Sequence, residues 1–564
     1  MAYSIFGLLL VPPITFALWN LQCLWRNYRL AQKMNIPIVI LPAAGDNPVW
    51  ILTCKYIIAV LRFIFGEIDM VKYSYPGWGS VVKHRMHEEL GDVVVHVTPA
   101  YNWLYICEAE AINEVFKRSK DFDRPPNLLA ILDVFGPNIS TAIGADWQRQ
   151  RKVTSAPFSD SNNALVWTES VSQAKQMIDY WVSFTKPVRT TDEDTRTLSL
   201  HVLSGAGFGK QYSFSSSAEK PKEGHRFNYR DSIALVLENC VLIFILGTKL
   251  LAKLAGWPIF GRLSNVGQAT IDFKDHMTTM LAEEKVAIAE GKPRAATITN
   301  SLIRASEQNG STKDEGFKGL TEDEIYGNIF VYNFAGHDTT ATVFNWAFYL
   351  LAAYPEVQDW MFEEIEAVCG NGDLATIEFK DIYSKLPRCL AVMYETLRLW
   401  NPLQGICKST FLEPQQLTIG NQTITIPPDT RIIPNVNAIH SLPRYWGKDS
   451  LEWKPSRWTV NLNPEPTKEG HTKPVEGFFA PTRGSYLAWS DGLRPCPGRK
   501  FSQVEFVATM VGVFQHHRVE VAPEKGETLF DARERVKRVT EDKMVVILQQ
   551  MRDPKSVGLR WEAR

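Results

Sequence analysis

Cys496 sits in the run Trp489-Ser490-Asp491-Gly492-Leu493-Arg494-Pro495-Cys496-Pro497-Gly498, between two prolines that fix the local backbone. The residues that follow, Arg499 through Glu505, read as the start of a helix, so the sulfur lies at a helix N-terminus. Unpaired N–H groups and the helix dipole there favour thiolate over thiol. Gly492 and Gly498 lack side chains where a flat macrocycle would need close backbone approach, and Arg494 offers a charge-assisted partner for a haem propionate. The chemistry this pattern suits is ligation of iron by sulfur, with heme b as cofactor and Cys496 as the metal ligand. Taken alone, the loop also fits an inert buried cysteine among proline and glycine.

The loop resembles that of the cytochrome P-450 family, Phe-x-x-Gly-x-Arg-x-Cys-x-Gly, with Trp489 standing where the family usually has Phe. That departure leaves the ligand assignment intact and bears on the electronic tuning of the sulfur. The resemblance extends to three further segments, in the family's order along the chain. In Ala335-Gly336-His337-Asp338-Thr339-Thr340, small residues leave room for a ligand beside a helix, and the Thr339 hydroxyl can bond back to the Ala335 carbonyl. This is similar to the family's oxygen-activation segment. Dioxygen bound at a buried iron must receive two protons on its outer oxygen, and Asp338 and Thr339 are an acid and an alcohol able to relay them. A thiolate on the opposite face favours cleavage of the O–O bond. His337 reads as a packing or surface histidine and is left out of the site.

Glu395-Thr396-Leu397-Arg398 places a carboxylate and a guanidinium on one helix face. By itself it is a common solvated pair. The resemblance makes Arg457, in Trp453-Lys454-Pro455-Ser456-Arg457-Trp458, the third member of a buried Glu-Arg-Arg network that locks the cysteine loop. Trp147 and Arg151 stand one helical turn apart in Trp147-Gln148-Arg149-Gln150-Arg151, and by resemblance both reach a haem propionate, with Lys152 helping electrostatically. An exposed basic helix is the competing reading of that spacing.

These residues need a frame. A capping box at Thr321 and Glu324, an apolar stretch to Ala353 and a stop at Pro355 predict one helix of about eight or nine turns carrying Asp338 and Thr339. Periodic apolar helices dominate between about 105 and 400, while Val93–Val97 and the Leu417–Ile419 and Thr423–Ile426 runs alternate as strands of a minor sheet. The motifs span residues 147 to 498 and must meet at one cofactor, so the expected fold is mainly α with a minor β region in one large catalytic domain, 73–564. Polar stretches at 214–225, 307–319 and 461–477 are expected as surface loops.

Lys and Arg total 61 against 62 Asp and Glu, which leaves no global field for nucleic acid. Arg149, Lys152, Arg499 and Lys500 would cluster on the cysteine side, where the family docks an acidic flavoprotein. The eight cysteines include no Cys-x-x-Cys pair, which points to a reducing, cytosol-facing compartment. Residues 1–25 carry no charged side chain and Arg26, Arg29 and Lys33 follow, so 1–33 is expected as an N-terminal transmembrane anchor with a basic flank. A cleaved signal peptide lacks support, for want of a basic start and a clear cleavage site. Residues 34–72 read as a linker with a second apolar segment, Val49 to Phe65, either interfacial or a snorkelling second anchor.

The resemblance therefore implies a microsomal haem-thiolate monooxygenase of the endoplasmic reticulum membrane, facing the cytosol and similar to fungal members that act on secondary metabolites. Electrons would come from NADPH through cytochrome P-450 reductase, a flavoprotein, with the help of cytochrome b5 left open. By family position the pocket is lined by the 124–140 loop, by Phe330, Val331, Phe334 and Ala335, and by Leu403, Gln404 and Ile406, with Gln404 as an orienting hydrogen bond. Mostly apolar walls suit a terpenoid or polyketide. Two alternatives differ in class. A reductase-independent haem-thiolate isomerase or dehydratase would typically lack the Asp338-Thr339 pair, and a non-catalytic membrane haem or lipid carrier has no need of one.

Overall fold

In the computed structural model the predicted capping box forms: the Thr321 hydroxyl accepts from the Glu324 N–H at 3.2 Å and the Glu324 carboxylate accepts from the Thr321 N–H at 2.8 Å. The helix it starts, Glu322–Ala353, runs 32 residues to the turn before Pro355. Most of its length is buried on every side, as expected of a helix through the middle of a large domain. Helices Asp160–Val182, Thr191–Phe208 and Arg499–Phe514 pack into a four-helix core with it, filled by Trp167, Trp181, Phe344, Phe348, Phe506 and Phe514. Close approach there needs small residues. A Cβ on Gly336 would stand 2.9 Å from Leu203, and one on Gly512 2.8 Å from Ala174.

The structure describes residues 2–125, 128–155, 157–214, 221–291, 297–307, 319–461, 476–545 and 547–564. The three stretches expected as polar loops fall largely outside them, as do residues 126 and 127 of the expected pocket loop.

The minor sheet has five strands: β1 (Ile38–Ile40), β2 (Val93–Val97), β3 (Asn102–Ile106), β4 (Lys408–Ser409) and, last in the chain, β7 (Arg431–Pro434), in the order β1-β2-β3-β7-β4. Between β4 and β7 lies the predicted hairpin, β5 (Gln415–Ile419) and β6 (Gln422–Ile426). Its Leu417, Ile419, Ile424 and Ile426 are buried and its Thr418, Thr423 and Thr425 exposed, the period-two pattern of a half-buried hairpin. Because β1 pairs in parallel with β2, residues 34–72 are more than a linker: they supply one edge of the sheet.

The N-terminal helix, Ala2–Gln32, differs from the expected spanning anchor. Among the described residues no helix is long and apolar enough to cross a membrane. Asn20, Gln22, Arg26 and Asn27 interrupt the apolar run, and the last turns are used for docking. The Asn27 amide donates to the Thr98 and Pro99 carbonyls at 2.9 and 3.2 Å, and Asn102 donates to the Asn27 carbonyl at 3.0 Å, while Ala31 and Met34 enter the core under the sheet. Farther out, Phe16, Leu18, Trp19, Leu21 and Trp25 are exposed. The second apolar segment is the helix Pro48–Phe65, capped by Asn47, with Trp50, Cys54 and Ile58 buried on one face and Phe63, Ile64 and Phe65 exposed.

Candidate functional site

The cysteine loop closes on itself through the Cys496 N–H, which donates to the Trp489 carbonyl at 2.8 Å. Gly498 then caps the helix Arg499–Phe514, which places Cys496 at a helix N-terminus as the sequence predicts. Burial pushes the Cys496 thiol up, and the opposing pull of the Gly498 N–H and the Arg151 and Arg499 guanidiniums does not overcome it. Deprotonation would instead come with a metal, whose charge inverts the balance. Gly492 is also needed by the protein's own backbone. Gly492 has a left-handed φ of 71°, and a Cβ there would lie 2.5 Å from the Phe116 carbonyl oxygen, so protein backbone already demands glycine. A Cβ on Gly498 would meet Cys496 Sγ at an ordinary 3.8 Å. The Trp489 indole N–H donates to Ser502 Oγ at 3.1 Å, a bond phenylalanine cannot make.

Opposite this loop stands the middle of the central helix. Ala335 is exposed although it lies in a helix buried over most of its length, and Cys496 likewise keeps accessible surface. Tyr332, one turn before Gly336, feels the charges of both Cys496 and Arg151, so the helix and the loop converge. The Thr339 hydroxyl donates to the Ala335 carbonyl at 2.8 Å, as expected. Asp338 is not free: Arg196 Nε donates to it at 2.9 Å and also holds Gln550 at 3.0 Å through Nη2. His337 is buried with Nδ1 on the Asn333 carbonyl, a packing role.

Positive charge collects beside the loop. Arg494 stacks over the Trp147 ring at 4.5 Å and donates to the Ala142 carbonyl, but its Nε has no hydrogen-bond partner and its Nη1 reaches only Asp123, at 3.5 Å. Arg124 and buried Lys408 face the same space. Burial, compounded by Arg124, pushes Arg494 down to about 10, and burial with both arginines pushes Lys408 down to about 8 despite Asp123. Three cations around one carboxylate, with an orphaned buried guanidinium nitrogen, fit a ligand carrying carboxylates. Arg151, on the Trp147 helix, makes no side-chain hydrogen bond to another described residue, which leaves it available too. These residues fit a haem: Trp147 and Arg494 would hold its propionates, and Cys496 would ligate its iron. Lys408 and Arg124 belong to this set and no motif announced them; β4 pairing with β7 is what brings Lys408 in.

Glu395 is fully buried and accepts from Arg398 Nε and Nη2 at 2.8 Å each, from Arg457 Nε at 2.9 Å, from Trp458 Nε1 at 2.9 Å and from the Lys454 N–H at 2.9 Å. Burial alone would raise its carboxyl; Arg398 and Arg457 hold it below the ordinary range instead. The network was expected with three members, and Trp458 and the Lys454 backbone complete it.

Other expectations are placed differently. Phe330 has no exposed surface and packs among Phe135, Phe273 and Phe334, so it is core here rather than pocket wall. Phe334 is also buried, Leu403 is half exposed, Ile406 packs against the core under the sheet, and the Gln404 amide donates to Gln549 Oε1 at 2.5 Å. Of the four basic residues expected on a docking face, Arg149 turns inward to Glu324 at 2.6 Å, Arg499 lies over Trp489, and Lys500 lies over Tyr383. Lys152, Arg499 and Lys500 all remain exposed.

Comparison with known proteins agrees with this geometry. The family model for cytochrome P-450 matches residues 64–546. A cytochrome P-450 monooxygenase of Arthrobotrys oligospora is 29% identical over 535 residues, covering 90% of each chain. The cytochrome P-450 monooxygenase of the phomenoic acid biosynthesis cluster in Leptosphaeria maculans is 26% identical over 548 residues, covering 89% of this chain and 90% of its own. Among solved structures, a cytochrome P-450 haem domain superposes with a TM-score of 0.64 at 15% identity, covering 94% of this chain and 98% of that one.

Proposed function

Because the chain belongs to the cytochrome P-450 family and is an oxidoreductase of its monooxygenase class, we propose that it inserts one oxygen atom from dioxygen into a hydrophobic secondary-metabolite intermediate, a terpenoid or polyketide. Electrons come from NADPH through cytochrome P-450 reductase, and the protein works at the endoplasmic reticulum membrane with its catalytic domain toward the cytosol. The observation that carries the assignment is the convergence of Cys496, the Arg494–Trp147 pair and the exposed Ala335 in one site. The relative from a biosynthesis cluster supports the substrate class. Exposed apolar side chains on the helices Ala2–Gln32 and Pro48–Phe65, with Arg26, Arg29 and Lys33 after the first apolar run, support the membrane setting.

Haem bound through Cys496 supplies the oxygen-activating chemistry. The protein's own groups do the rest. Arg494, Lys408, Arg124, Arg151 and Trp147 would hold the cofactor's carboxylates. Gly336 lets the central helix pack closely on Leu203 behind, while Ala335, exposed on that helix, keeps it thin on the side of the bound ligands. Thr339 holds a hydroxyl proton there, directed at the Ala335 carbonyl at rest, and Asp338, held in place by Arg196, is the neighbouring acid that relays a proton to it. The Glu395 network keeps the cysteine loop from moving as charge changes at the sulfur.

The test is the reduced, carbon monoxide-bound difference spectrum of the membrane-expressed protein beside Cys496→Ala. A strongly red-shifted Soret band present in the first and lost in the second is expected. Folded wild-type protein without that band would overturn thiolate ligation. Product formation that needs NADPH and reductase separates this function from an isomerase, a dehydratase or a carrier.

A further inference from the structure

The Glu395 network and the cysteine loop do not touch through their charged groups; aromatic rings join them through Trp458, Tyr394 and Trp489, and a hydrogen-bonded contact passes through one imidazole. His440 follows the short helix Val436–Ile439 and has no exposed surface. Its Nε2 lies 2.7 Å from the Leu487 backbone nitrogen, and its Nδ1 lies 3.2 Å from the Arg398 carbonyl oxygen. A backbone N–H can only donate, so Nε2 accepts, and the ring's proton is assigned to Nδ1, which donates to Arg398. Arg398 returns the contact, its Nη1 donating to the His440 carbonyl at 2.7 Å while its other edge binds Glu395. The ring also stacks on Tyr486 at 4.9 Å, and the Tyr486 hydroxyl donates to the Tyr394 carbonyl, next to Glu395.

Leu487 opens the turn that leads into the loop. Its carbonyl accepts from the Ser490 N–H at 2.9 Å, and Trp489, between them, accepts from the Cys496 N–H. A hydrogen-bonded path from the buried ion network to the sulfur thus runs through Glu395, Arg398, His440, Leu487, Trp489 and Cys496, with the His440 side chain at the join. An imidazole suits the place because it is rigid and, as one neutral tautomer, accepts on one edge and donates on the other.

We propose that His440 is the positioning residue that transmits the Glu395 network to the cysteine loop, by accepting the Leu487 N–H and so fixing the height of Cys496 Sγ. The inference rests on thiolate ligation by Cys496. If wild-type protein shows no red-shifted carbon monoxide band, it is that ligation that fails, so every comparison below is made against a wild type that shows the band.

Three variants of the full-length holoprotein separate the parts of the ring. His440→Gln carries an acceptor to about the reach of Nε2. His440→Asn keeps a donor near Nδ1 but leaves the Leu487 N–H without an acceptor. His440→Phe keeps the stack on Tyr486 and loses both hydrogen bonds. Each is read by the fraction of carbon monoxide complex in the red-shifted band and by the rate at which that band converts to the short-wavelength form on mild warming. Amide hydrogen exchange in a peptide covering 487–495 is followed alongside. Conversion is expected to be roughly tenfold faster in the Asn and Phe variants, the weight of one buried hydrogen bond left unmade, and close to wild type in the Gln variant. Exchange at the loop should follow the same order. A merely space-filling ring predicts the reverse ranking, with Phe least affected. Equal conversion rates in wild type, Asn and Gln, or Phe indistinguishable from wild type, would overturn the proposal; should Phe fail to fold, the Asn and Gln pair decides alone.

Discussion

Lys408 is a cation in the wrong company unless an anion joins it. It is buried, held down to about 8, and shares Asp123 with Arg124 and Arg494. Replacing Lys408 with Ala therefore removes mutual repulsion in the cofactor-free protein and an ion pair in the holoprotein. Apoprotein stability should hold or rise slightly, while haem transfer to an acceptor globin accelerates by roughly tenfold, about the value of one charge-assisted hydrogen bond. Unchanged transfer would mean that Lys408 does not meet the cofactor. Thr339 carries a different risk. Its hydroxyl is parked on the Ala335 carbonyl, so Thr339→Ala costs the fold little, yet it removes the alcohol nearest the reacting oxygen. Product per NADPH should drop roughly tenfold or more while oxygen uptake persists, the excess appearing as peroxide. Unchanged coupling would remove Thr339 from the relay.

At the scale of elements, the Glu395 cluster ties a helix, Pro387–Leu399, to the 454–458 segment through three donated hydrogen bonds, from Lys454, Arg457 and Trp458. Glu395→Ala leaves Arg398 without its carboxylate in a place with no solvent, so urea denaturation should report a loss of about 3–5 kcal/mol and haem content should fall with it. Normal haem content in that variant would refute the locking role. Here the difference between what the sequence shows and what it hides has a clear physical cause. Glu395 and Arg398 are one helical turn apart, Thr321 and Glu324 form a cap within four residues, and Cys496 precedes its own helix; all of these are local. Trp458, Arg196, Lys408 and His440 act across 63, 142, 285 and 47 residues of chain respectively, on Glu395, Asp338, Asp123 and Leu487. Only packing brings such pairs together, so spacing cannot announce them. The expected spanning anchor failed for a related reason. An uncharged stretch counts toward a span only if its later turns are not spent on the protein's own sheet, and those of Ala2–Gln32 are.

Across the whole molecule, four buried histidines sit neutral where water would let them charge. Burial pushes His87 and His201 down to about 4 and His96 and His440 down to about 3. Unfolding returns each to the ordinary value near 6.5. The unfolded chain then binds protons that the folded chain refuses, so their contribution is fully present above 6.5 and is lost as pH falls from there toward 3 to 4. Moving from pH 7.5 to 5.5 should cost about 1 kcal/mol for each of the four, visible as a lowered urea midpoint with an unchanged slope. A flat stability across that interval would mean that these rings are protonated in place. The junction at Asn27 has another consequence at this scale. A tether that swivels lets a domain sample every tilt, whereas a helix clamped to a sheet by three hydrogen bonds behaves as a rigid handle. Any surface that grips the outer turns, around Phe16 and Trp19, thereby dictates the attitude of the whole body, and the direction in which its openings face is written into one asparagine.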